Sequence, residues 1–232
     1  MSNVITTISE NLKRIQGRVE AACERSNREA SEVSLVAVTK YAEDDWVQAL
    51  RSLGVRQLGE SRPQQLVPRS EQFDDDIEWH MIGHLQRNKV RPILPIARLI
   101  HSVDTLRLLS RIDLIAGELS LKPQVLLEVN VSGEESKHGF TRSGLLTEWN
   151  QIADFENVDV RGLMTMAPRT DNDEIPRQVF TELKLLRDEI VQNDENDCLL
   201  PELSMGMSND FETAVECGAT IVRVGSGLYS GL

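Results

Sequence analysis

The chain has 232 residues, 40% apolar and 27% charged, a composition that suits one sizeable globular core and is not that of a disordered or fibrous chain. Its 25 basic against 37 acidic residues give a net charge of −12, a surface that repels phosphate backbones and anionic lipid, so no nucleic-acid and no membrane partner is expected. The apolar runs are too short to span a bilayer and no signal peptide precedes the first helical pattern, so a cytoplasmic protein is expected.

Residues 2 to about 29 are predicted as one amphipathic helix, because Ile5, Ile8, Leu12, Ile15, Val19 and Ala22 recur at three- and four-residue spacing. Strand and helix patterns then alternate. Leu35 to Thr39 is a strand, Asp44 to Leu53 a helix stopped by Gly54, and Gln57 to Gly59 a strand followed by a helix from about Pro63. Glu78 to Ile82 is a strand, and the helix from Leu85 onward is disturbed by Pro92 and Pro95. Leu99 to Ser102 and Gln124 to Asn130 are strands, with an apolar-periodic helix from Thr105 to Leu119 between them. Helix Ser143 to Phe155, strand Val158 to Met164 and helix Glu174 to Gln192 follow; strand Glu202 to Ser204, helix Asp210 to Cys217 and strand Ile221 to Val224 complete the series. The runs Asp74 to Asp76 and Asn193 to Asp197 are polar connections within this rhythm, not domain breaks.

Eight strands, each trailed by a helix or a helix start, predict an α/β protein: a single (β/α)8 TIM-like barrel spanning residues 1–232 as one domain. The first helix (about residues 1–30) is extra to the alternation and is expected to pack on the barrel, capping its bottom. No G-x-G-x-x-G follows the first strand, which argues against a dinucleotide-binding open sheet.

In such a barrel only the residues just past each strand converge on one site. The run Ser34 to Thr39 ends in Lys40, whose amine, partly desolvated at a strand lip, could attack a carbonyl; a snorkelling surface lysine is the alternative. Met207-Ser208-Asn209-Asp210 and Gly225-Ser226-Gly227 follow the last two strands, where barrels commonly hold phosphate, and Arg223 adds a permanent donor. A helix N-cap at 208–210 and a Gly-rich tail at 225–227 are the plain alternatives. Taken with Lys40, these loops suit an aldehyde bearing a phosphate. His80 and His84 lack the glutamate of the helical zinc motif; His80 falls within a strand as core, and His84 at the strand lip is either a loop-organising residue or a site residue. His101 and Asp104 are expected to cap the next helix, Glu134 and Glu135 to be solvated, and Met166 either to pack against its neighbours or to lie near the ring of a ligand in the mouth. Cys23, Cys198 and Cys217 have no C-x-x-C spacing and are expected as free thiols, and no metal site is expected.

The chain resembles the pyridoxal phosphate homeostasis proteins (the YggS/PROSC family) along nearly its whole length. The resemblance rests on Val36-Ala37-Val38-Thr39-Lys40, Gly59-Glu60, Trp79 to Lys89, His101-Ser102-Val103-Asp104, Asn130 to Lys137, Gly162 to Pro168, Leu203 to Phe211 and Val222 to Gly225. It implies a barrel similar to the N-terminal domain of alanine racemase, with pyridoxal 5′-phosphate as cofactor in a Schiff base on Lys40. It further implies phosphate contacts from Ser208, Asn209, Gly225 and Ser226, and Arg223 facing either the pyridine ring or the phosphate. Many members have Asn after the Gly-Glu pair where this chain has Ser61, which offers no side-chain amide.

Racemisation needs two acid–base groups, one on each face of the substrate. In alanine racemases the second, a tyrosine, comes from a β-domain of the partner subunit, and no counterpart is found before Leu232. The resemblance therefore implies a monomeric, non-catalytic holder of pyridoxal phosphate, buffering it or delivering it to apo pyridoxal-phosphate enzymes. A racemase or lyase using Lys40 as base is the enzymatic alternative, and a cofactor-free lysine aldolase a third.

Overall fold

In the computed structural model the described residues are 2–73, 76–134, 138–194 and 198–232; Asp74, Asp75, Glu135 and 195–197 of the predicted connections lie outside them. The eight apolar runs form parallel strands β1 (Ser34–Val38), β2 (Gln57–Glu60), β3 (Glu78–Met81), β4 (Ala97–Val103), β5 (Gln124–Glu128), β6 (Asp159–Met164), β7 (Glu202–Ser204) and β8 (Ile221–Val224). They pair in sequence order and close into a barrel, with Ala37 of β1 opposite both Leu58 of β2 and Val224 of β8.

The helices are α1 (Ser2–Arg25), α2 (Asp44–Ser52), α3 (Pro63–Gln72), α4 (Val90–Ile93), α5 (Leu106–Leu119), α6 (Arg142–Ala153), α7 (Glu174–Asn193) and α8 (Phe211–Glu216). The element after β3 is shorter than its apolar residues suggest. With Pro92 and Pro95 so close together, only a 3-10 turn at Arg87–Lys89 and the one-turn α4 form. The cap of α5 is Thr105, whose hydroxyl accepts the Leu108 N–H at 3.3 Å. His101 and Asp104 do not serve that purpose: His101 is buried within β4 and the Asp104 carboxylate faces His84.

Two expectations for the ends of the chain are corrected. No helix follows β8 among the described residues, only turns from Gly225 onward. The first helix, instead of capping the bottom of the barrel, packs between α8 and α2 in the outer layer, the position a helix after β8 would otherwise fill. The predicted stripe does this: Ile8, Leu12, Ile15, Val19 and Ala22 are buried. Asn11 donates to the carbonyls of Leu228 (3.0 Å) and Ser230 (2.9 Å), and Arg28 to those of Val215 and Ala219 (both 2.8 Å). A bottom cap would leave the β8–β1 seam bare, so burying that seam decides the placement.

The main core lies between the strands and the helical ring, while Val36, Leu99, Leu126, Met164 and Ile221 form a separate apolar cluster drawn from five strands. Two residues further along three of those strands stand His101, Glu128 and Arg223. The period of two keeps them on the same face as Leu99, Leu126 and Ile221. The lumen thus passes from an apolar floor to a polar layer just beneath the C-terminal mouth.

Because Ile15 is fully buried in the seam that α1 seals, Ile15→Ala should lower stability by about 2–4 kcal/mol, whereas exposed Lys13→Ala should stay within about 0.5 kcal/mol of wild type in urea unfolding.

Candidate cofactor site

The turn that carries Lys40 is held from three directions. The Thr39 N–H continues the β1–β2 ladder to the Gly59 carbonyl at 2.9 Å, and the Thr39 hydroxyl donates to Glu60 Oε1 at 2.8 Å. Arg69, from α3, donates to the Thr39 carbonyl at 2.7 Å, to the Ala42 carbonyl and to Glu60 Oε1. Glu60 is completely buried, so one guanidinium both neutralises a buried carboxylate and fixes two carbonyls of the turn. Lys40 itself is exposed rather than partly desolvated, with Nζ 5.3 Å from the centre of the Tyr41 ring.

Barrel closure sets the loops after β7 and β8 beside this turn. The N–H groups of Gly225 and Gly227 both donate to Ser208 Oγ at 3.3 Å, so two backbone donors converge on one point. A side chain at Gly225 would crowd Val38 Cβ at 3.2 Å. Gly206 adopts φ +90°, and a Cβ there would lie 2.9 Å from Phe211 Cα. The helix expected from Asp210 is only the six-residue α8, and Asp210 instead turns back to accept the Met207 N–H at 2.6 Å. A pair of loops, rather than a helix end, therefore brings these backbone donors and the Ser208 hydroxyl together.

Six of the predicted site residues, Lys40, Ser208, Asn209, Arg223, Gly225 and Ser226, line one cavity of about 680 Å³. Met166, 38% exposed, and His84 do not; His84 lies in a different cleft of the mouth. Trp46 and Tyr229, which the sequence did not single out, complete the wall, with rings stacked 5.0 Å apart. The Tyr229 hydroxyl is buried with no hydrogen-bond partner, and burial pushes its pKa up. An orphaned donor in a cavity wall is a contact that a polar ligand would complete.

Arg223 is 4% exposed and is held from the lumen side, donating to Ser204 Oγ and to the Thr165 carbonyl at 3.0 Å. Burial lowers its pKa to about 10, opposed by the nearby Asp210 and Glu128 carboxylates, so it stays charged at neutral pH. The chain of contacts continues across the barrel: Ser204 Oγ meets His101 Nδ1 at 2.8 Å, and His101 Nε2 meets His80 Nδ1 at 2.9 Å. Arg223 can only donate, which makes the Ser204 oxygen an acceptor and frees the hydroxyl proton for His101. Burial holds both histidines neutral, lowering His80 to about 4 and His101 well below its ordinary value.

An amine at the end of β1, two converging loop amides and a fixed guanidinium thus meet at the C-terminal mouth of an α/β barrel. Residues 10–232 match the family described as alanine racemase, N-terminal domain. The pyridoxal phosphate homeostasis protein of Aquifex aeolicus is 40% identical over 221 residues, covering 95% of this chain and 96% of that one. A protein of Bifidobacterium adolescentis has the same fold with a TM-score of 0.90 at 34% identity, covering 99% of this chain and 97% of that one. PipY of Synechococcus elongatus, solved with pyridoxal phosphate bound, gives 0.83 at 33% identity, covering 96% of this chain and all of that one. This chain belongs to the pyridoxal phosphate homeostasis family.

Arg69→Met should destabilise the fold by about 3–5 kcal/mol in urea, because it strands the buried Glu60 charge; adding Glu60→Gln should restore part of the loss. The neutral His80 yields a second expectation. Its folded pKa lies below its unfolded value, so its contribution is complete above about pH 6.5 and is lost as pH falls toward 4. Between pH 7 and pH 4.5 wild type should therefore lose on the order of 2 kcal/mol more stability than His80→Gln, measured by urea midpoints at both pH values.

Proposed function

We propose that this protein binds pyridoxal 5′-phosphate as a Schiff base on Lys40 and holds or delivers it, with little or no catalysis. The observation that carries this reading is the meeting of Lys40, Ser208 and Gly225 in one cavity whose wall also contains the unpartnered Tyr229 hydroxyl. Bound pyridoxal phosphate supplies an aldehyde that condenses with an amine and a ring that withdraws electrons. Lys40 Nζ adds to the aldehyde carbon, and water leaves as the C=N bond forms. Ser208, Asn209, Gly225 and Ser226 receive the phosphate, Tyr229 adds a donor, and Arg223 faces the ring from the lumen side. Phosphate at the loop amides replaces the Ser208 hydroxyl as their acceptor, so both donors stay satisfied when the cofactor departs. That suits a site that both loads and unloads.

A holding role is supported by the groups around the lysine. Tyr41 adjoins Lys40 on the same turn, and Tyr229 is a poor base because burial raises its pKa. The cavity opens at the mouth, so water competes there with any bound amine. The names of the relatives, homeostasis proteins, point the same way. On this reading the chain works as a single domain and a monomer in the cytoplasm, with apo pyridoxal-phosphate enzymes as recipients.

Wild-type protein incubated with pyridoxal phosphate should turn yellow, and borohydride should bleach it and leave the pyridoxyl label on Lys40 by peptide mass. Lys40→Ala should retain neither colour nor label. Label on another lysine in the wild type would overturn the assignment, and steady amino-acid turnover abolished by Lys40→Ala would replace the carrier by an enzyme.

A further inference from the structure

The mouth of the barrel has a second polar centre on the side away from Lys40. His84 follows β3, Asp104 follows β4, and His138 lies between β5 and α6. The Lys40 cavity is instead lined from the loops after β1, β6, β7 and β8. His84 Nδ1 lies 3.1 Å from Asp104 Oδ2 and His138 Nδ1 3.9 Å from the same oxygen, and the two imidazoles stack with centres 4.8 Å apart. Donor atoms of all three residues fall within 4.8 Å of one another, the one such convergence of three His, Cys, Asp or Glu groups among the described residues.

We propose that His84, Asp104 and His138 bind a divalent transition metal of the zinc type, each giving one ligand atom. Two imidazole nitrogens and a carboxylate oxygen are the usual donor set for such an ion. Metal–ligand bonds of about 2.0–2.2 Å place tetrahedral neighbours roughly 3.3–3.5 Å apart, a spacing that the two observed distances bracket. The carboxylate is the fixed point: Asp104 is 6% exposed and accepts the Thr105 hydroxyl on its other oxygen at 3.3 Å. Ser102 ties the His84 loop to β4 by donating to the Gly83 carbonyl at 2.5 Å. The histidines are half or more exposed and face a cleft of about 1000 Å³, which leaves water as the fourth ligand.

The local charge also suits a cation. Glu128, buried at the end of β5, lies within electrostatic reach of all three residues and places a second carboxyl group beside Asp104. Arg87, Arg107 and Arg111 line the same cleft, but an anion drawn to them would meet Asp104 between the imidazoles. Hydrogen bonding to Asp104 accounts for His84 at 3.1 Å, whereas His138 Nδ1, at 3.9 Å, is beyond hydrogen-bond distance of the same oxygen. The sequence hid the site because its ligands are 20 and 34 residues apart, in three loops that only barrel closure assembles.

Full-length protein stripped with a chelator should take up one equivalent of Zn²⁺ by calorimetry, with a rise in Tm. His84→Ala, His138→Ala and the shape-conserving Asp104→Asn should each weaken binding at least about 10-fold. The His variants change exposed residues and should fold normally. Absence of saturable Zn²⁺ binding by wild type would overturn the proposal. So would binding that survives all three substitutions, or binding lost only when the free thiols Cys23, Cys198 and Cys217 are alkylated.

Discussion

The pairing of β8 with β1 is the constraint on which the site rests. It places Val36 opposite Arg223 and Ala37 opposite Val224, joining residues nearly the whole chain apart. Until that seam forms, Lys40 and the Ser208 and Gly225 loops have no reason to be near one another. The ladder therefore builds the floor of the cavity as well as closing the barrel. It also dictates residue choice, since the strands approach so closely that position 225 has little room for a side chain beside Val38. The cost of closing so long a loop is met by burial on both faces of the seam, and α1 provides the outer face. Its contacts with Leu228, Ser230, Val215 and Ala219 all fall on the segments flanking β8.

Features governed by local periodicity were legible in the sequence. The eight apolar runs and the intervening 3.6-residue patterns are properties of single segments, so the number of strands and the polar residues standing just past each one could be read directly. Features that depend on meetings between segments were not. Arg69 is one charged residue on a helix until the fold brings Thr39, Ala42 and Glu60 around its guanidinium. Tyr229 follows the last strand in a Gly- and Ser-containing run and gives no sign that its ring will stack on Trp46. The placement of α1 failed for a related reason: an apolar stripe says that a face will be buried, not against what. His101 looked like a cap because it precedes a helix, yet β4 runs further than its apolar core suggests and carries the side chain into the lumen.

The polar layer explains how a chain of net charge −12 keeps a permanent cation at its centre. Arg223 loses water on burial, and the loss is offset by hydrogen bonds to Ser204 and Thr165 and by the fields of Asp210 and Glu128. Replacing His101 or His80 by another cation would add like charge in a low-dielectric space, so the neutral imidazole is the group that can satisfy Ser204 without opposing the arginine. The local positive charge is thus set by hydrogen-bond geometry inside the barrel and is insulated from the acidic surface outside.

The two carboxylates that steady Arg223 lie on opposite sides of the mouth. Asp210 belongs to the loop after β7, whereas Glu128 ends β5, within electrostatic reach of His84, Asp104 and His138. Burial and the neighbouring Asp104 raise the pKa of Glu128, while Arg223 and the two histidines lower it. Arg223 is the shared partner: its cation favours the ionised form of both carboxylates, and both favour the charged guanidinium. Both sides of the mouth are thus anchored electrostatically on one buried guanidinium.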